Sequence, residues 1–156
     1  MADIDSLRPH APTALELLVR VLWIDGRIPT HQVDAVVALA EVLGESEAIA
    51  RMIVRRQQER ASVVPWAPGE LDARTAGAIH AAAAWVVHVD GQPHANERLL
   101  LDQIAEALGL SDGDVSRLER LARNVAALPG GPRVCHAEAL LYAALRFSGP
   151  AAQHAA

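Results

Sequence analysis

The feature that most constrains this chain is a thirty-residue plan written twice. From Ile79 to Gly109 the sequence reads IHAAAAWVVHVDGQPHANERLLLDQIAEALG. This is an almost wholly apolar helix, a stop at Asp90-Gly91, a polar corner carrying Glu97, and a second, amphipathic helix. The plan occurs earlier as LELLVRVLWIDGRIPTHQVDAVVALAEVLG, and a shift of 65 residues aligns the copies without a gap. Asp25-Gly26 falls on Asp90-Gly91, Ala40-Glu41 on Ala105-Glu106, and Leu43-Gly44 on Leu108-Gly109; Val21 meets Val86 and Leu39 meets Ile104. Each copy is a helical hairpin too small to bury its own apolar face. The expectation is a single all-α bundle of about seven helices, built on two pseudo-symmetric hairpins (residues 13–44 and 78–109) with their first helices at the centre.

Composition supports helices. Hydrophobic residues make up 51% of the chain but aromatic ones only 3%, so the core must be Ala, Leu, Val and Ile packed closely. With 156 residues, one domain is expected over residues 13–148. Residues 1–12 and 149–156 read as flexible ends. Thr13 with Glu16 forms a capping-box pattern for the first helix, Thr30 is an N-cap for the second, and Ser46 and Ser111 for the third and sixth. The two prolines and glycine of ASVVPWAPG (residues 61–69) separate the halves. A last amphipathic helix, Arg133 to Phe147, turns Leu140, Leu141, Ala144 and Leu145 inward. Cys135 is expected to be a buried, inert thiol on that helix, and as the single cysteine it excludes an intrachain disulfide.

The formal net charge of −5 argues against a nucleic-acid binder that relies on phosphate neutralisation. All fourteen basic residues are Arg, which reads as the codon bias of a GC-rich genome. The N-terminus shows no signal-peptide pattern, and the apolar tract Ala76 to Val89 falls short of the roughly 20 residues a membrane span needs. A soluble, cytoplasmic protein is expected, with peripheral membrane association left open. Arg51, Arg55, Arg56 and Arg60 make a basic stripe on the third helix. It is expected to be a solvated face, with docking of an acidic protein partner as the alternative.

The residues AAAWVVHVDGQPHANERLLLDQIAEALGLS carry a resemblance to the TerB-like family, the tellurite-resistance TerB proteins and their relatives. The apolar helix, an A-D-G-x-x-x-x-x-E type of corner and the L-G-L-S that follows are similar over about residues 13–125. The resemblance implies an all-α bundle, an acidic cluster holding a divalent cation, and a bacterial stress-response or membrane-linked setting. Asp90 and Glu97 match the acidic pair of that motif and Asp25 the first member of the other copy. The second member falls at position 32, where this chain has Gln32 and loses a formal charge.

The candidate metal ligands are therefore Asp90, Glu97 and Asp25. Oxygen donors without thiolates favour Ca²⁺, Mg²⁺ or Mn²⁺. Zn²⁺ is the weaker fit, since it needs His88 or His94, and the first copy has Trp23 and Pro29 there. Set against this, an Asp beside a helix-ending Gly serves turns, and a Glu in a first helical turn suits the macrodipole without any ligand. No phosphate loop, nucleophile elbow or Cys–His–acid pattern is present, so no catalytic residue is assigned. The expected function is non-enzymatic: a TerB-like helical protein, cation-binding at its acidic corner, in a stress-response or assembly context. The alternatives are a metal-independent protein-interaction module and, more distantly, a metal-assisted hydrolase.

Overall fold

The structure, a computed structural model, describes residues 4–23, 30–58, 68–91 and 93–147. Within them lie a short 3₁₀ helix, Ile4–His10, and seven α-helices: α1 (Ala11–Trp23), α2 (Thr30–Val42), α3 (Ser46–Gln58), α4 (Ala73–His88), α5 (Ala95–Ala107), α6 (Asp112–Ala126) and α7 (Val134–Phe147). The described residues contain no strand, so the chain is all-α.

α4 is the hub. Every residue from Thr75 to Val87 is buried, and the helix packs against α1, α2, α5, α6, α7 and the 3₁₀ helix. Its run Ala81–Ala84 explains how one helix accommodates so many neighbours, because methyl side chains let surrounding helices approach closely. Trp85, fully buried, supplies the bulk that the alanines lack. α1 is the second inner helix, with Leu15, Leu17, Leu18, Val19, Val21 and Leu22 buried. α7 closes the other side, resting Ala137, Leu140, Leu141, Ala144 and Leu145 on α4, α2 and α6.

Local sequence sets the helix ends. Asp72 caps α4 by accepting the Thr75 N–H at 2.7 Å, and that hydrogen bond holds its carboxyl below the ordinary carboxylate value. Ser111 caps α6 through the Asp114 N–H at 3.2 Å. α2 and α5 end in the same way. The Gly44 N–H reaches the Glu41 carbonyl and the Glu45 N–H reaches the Ala40 carbonyl; Gly109 pairs with Glu106 and Leu110 with Ala105 in the same pattern. This is a Schellman motif, and it requires the left-handed backbone seen at Gly44 (φ 78°) and Gly109 (φ 70°). The helix bounds repeat at the sequence spacing: α1 and α4 end at Trp23 and His88, and α2 and α5 span 30–42 and 95–107.

Two expectations change. Residues 4–10 are folded and not loose, since Leu7 is buried against the bundle at 4% exposure. α1 consequently begins at Ala11, ahead of the Thr13 capping box; Pro12 is tolerated because the first helical turn has no backbone donor to lose. Cys135 is exposed. The inner face of α7 is fixed by Leu140, Leu141, Ala144 and Leu145, and at about 100° per residue Cys135 falls on the opposite side. No helix among the described residues is long and apolar enough to cross a membrane.

Candidate functional site

The acidic corner is assembled by the start of α5, the start of α2 and the end of α4. Glu97 occupies the third position of α5 and is buried at 3% exposure. One carboxylate oxygen, Oε1, accepts the backbone N–H of His94, the residue preceding the helix, at 3.1 Å. The other, Oε2, accepts Nε2 of Gln32 at 2.9 Å. Gln32 stands in the first turn of α2, is itself buried at 3% exposure, and is the residue 65 positions before Glu97. The two positions that the sequence register equates thus meet inside the protein. Two donors and the N-terminus of α5 offset the desolvation of a buried carboxylate.

This contact accounts for the missing charge at position 32. Two carboxylates at such a separation, away from water, could not both be ionised without large repulsion. An amide offers the N–H that Glu97 lacks, so the neutral residue satisfies the buried carboxylate oxygen.

Asp90 lies two residues beyond α4 with its side chain in solvent, and Asp25 lies outside the described residues. Among the described residues no three His, Cys, Asp or Glu side chains are gathered so as to hold a metal ion. His94 is exposed and His88 half-buried. Trp23 is partly buried against the core, whereas Trp66 lies outside the described residues.

Beside the corner, an open cleft of about 860 Å³ runs between the end of α4, the start of α5 and the end of α6. Its ionisable lining residues are His88, Arg98 and Arg123, with no carboxylate among them. Arg98 also reaches Glu119 on α6 at 3.1 Å. Behind this pair, on α4, His80 is fully buried, and neither of its ring nitrogens has a hydrogen-bond partner. Burial is the main influence pushing both His80 and His88 below the ordinary imidazole value; the nearby Glu119 partly opposes it.

The His80–Glu119–Arg98 group was not assigned by sequence reasoning. One available signal was that His80, Ala84 and His88 share a helical face. The other was Glu119, a charge placed beside Leu118 and Ala122 on the apolar side of α6.

Compared with protein-family models, with curated proteins and with solved structures, the chain gives no match.

Proposed function

We propose that the chain is a non-enzymatic helical module of the TerB-like kind, working through a protein partner in a stress-response or assembly setting, and needing no cation at its acidic corner. In this reading α1–α2 and α4–α5 are halves related by a pseudo-twofold axis passing near Gln32 and Glu97. The observation that carries it is the 2.9 Å hydrogen bond between those side chains, which supplies from within the protein a donor to the buried carboxylate oxygen that a cation would otherwise hold. The basic lining of the neighbouring cleft points the same way, because arginines repel a divalent ion. The TerB-like resemblance supports the setting.

A second reading keeps the cation. The exposed Asp90 carboxylate is open to a hydrated Ca²⁺, Mg²⁺ or Mn²⁺, with Glu97 and Asp25 completing the ligands. A metal-assisted hydrolase at this corner would follow only from that reading. Calorimetric titration of wild type and of Asp90→Asn/Glu97→Gln with these ions and Zn²⁺ separates the two. The metal-independent reading expects no saturable heat and no thermal shift. Saturable binding abolished by the double substitution would replace it with the cation site.

The docking face offered by the sequence is the arginine stripe of α3. Arg51 is exposed; the side chains of Arg55 and Arg56, and Arg60 itself, lie outside the described residues.

A further inference from the structure

We propose that the outward face of α7 is a self-association surface on which a second copy of this chain docks its own α7 in antiparallel orientation. The inference goes beyond the metal-independent reading and does not depend on it.

With its inner face committed to the bundle, α7 presents two outward rows at four-residue spacing. One row is tall and carries Glu138, Tyr142 and Arg146, all exposed, with Tyr142 at 46%. The adjacent row is shallow and carries Cys135, Ala139 and Ala143, the first two exposed and the third half-buried. Rows of this spacing are the ridges by which helices interlock, and a tall ridge seats against a shallow one on its partner.

Charge decides who the partner is and which way it runs. Glu138 and Arg146 lie four residues on either side of Tyr142, about 6 Å along the helix in each direction. A twofold axis between the two rows, level with Tyr142, brings Arg146 of the second copy level with Glu138 of the first, and the reverse. The Tyr142 rings then lie against the small Ala139 and Ala143 of the opposite helix. A parallel pairing would instead set Glu138 against Glu138 and Arg146 against Arg146, which repel. Neither Glu138 nor Arg146 stands in an ion pair among the described residues. The surface is thus complementary to itself in one orientation, as an isologous contact requires. Six residues a side fall well short of the 20–30 typical of a stable interface, so the dimer is weak, with a dissociation constant on the order of micromolar or above.

Sedimentation equilibrium of the full chain from about 10 μM to about 1 mM tests this. The expected result is a reversible dimer that Glu138→Arg or Arg146→Glu each weakens at least about tenfold. Combining Glu138→Arg with Arg146→Glu restores it to within about threefold of wild type. Cysteine oxidation reads the direction. The antiparallel pair holds its two Cys135 residues about 20 Å apart, too far for a disulfide, whereas Tyr142→Cys in a Cys135→Ser background lies at the axis and cross-links. All these positions are on the outward face, so circular dichroism should be unchanged by the substitutions. A monomer at every concentration, indifference to the single reversals, failure of the exchanged pair to restore association, or ready Cys135 disulfide formation without the Tyr142→Cys link would each overturn the proposal.

Discussion

The helix pairs α1, α2 and α4, α5, whose sequences align at a shift of 65 residues, share their helix ends and differ where Gln32 meets Glu97. Their outer ends are interchangeable: Ala40, Glu41 and Gly44 close α2 with the hydrogen bonds that Ala105, Glu106 and Gly109 use to close α5. Those ends serve separate helices, and the same local requirement selects the same residues. At the inner corner the equated positions are Gln32 and Glu97, and they bond to each other. Two carboxylates buried at this separation would not both stay ionised without a shared proton or cation. One must donate where the other accepts, and the copies diverge at that place. A second divergence is hidden deeper: fully buried His80 stands where the first copy has the equally buried Leu15.

Making the two corners alike should have the largest effect. Gln32→Glu places a second carboxylate against Glu97 and should cost about 3 kcal/mol at pH 8 in urea denaturation. Lowering the pH lets the pair share a proton and should recover most of that loss, and millimolar Mg²⁺ or Ca²⁺ should recover part of it. Stability equal to wild type at pH 8 would show that the Gln32–Glu97 contact does not shape the corner.

The next comparison exchanges a buried residue between the copies. His80 titrates below the ordinary value of 6.5 because it is buried, so the folded chain takes up this proton later than the unfolded chain does. Stability linked to His80 is therefore complete above about pH 6.5 and declines as pH falls toward the folded-state value. His80→Leu copies Leu15, removes two unpartnered nitrogens, and should leave the protein about 1 kcal/mol more stable than wild type at pH 5. The gap should narrow at pH 8. A melting-temperature difference that stays constant across this range would mean that the His80 proton is not the cause.

The mildest test sharpens the likeness of the outer ends. Gly44→Ala and Gly109→Ala each force a methyl group into left-handed backbone and should each cost about 1 kcal/mol, equally within error. The surroundings add nothing, since a methyl at either site would meet no atom within 4 Å. A clear inequality in chemical denaturation would show that the two helix ends are not equivalent in energy.

Much of the architecture was legible in the chain. The Ser111 N-cap, the Gly44 and Gly109 stops, the central apolar helix and the inner face of α7 all follow from patterns within a few residues, whereas Ser46 is the first residue inside α3 and Glu45 takes the cap position. The other misreadings came from longer range. Thr13 has good capping chemistry, but the burial of Leu7 draws the preceding residues into the fold and starts α1 at Ala11. Cys135 has apolar neighbours in sequence, yet helical rotation turns it outward. For the corner, sequence found Glu97 and the importance of position 32. It could not show that the two side chains are each other's partners, because a spacing of 65 residues carries no distance. Arg98–Glu119, which joins α5 to α6, escaped for the same reason.

By itself, then, the sequence determined the all-α class and the number and order of the helices among the described residues. Those depend on propensity, periodicity and capping, which act within a turn or two of helix. Only the tertiary structure decided that Gln32 meets Glu97, that Asp90 remains in solvent, and that the adjoining cleft is lined by Arg98, Arg123 and His88. Each of those outcomes depends on how separately formed helices come together. The basic lining of that cleft and the pairing of Gln32 with Glu97 are therefore properties of their packing.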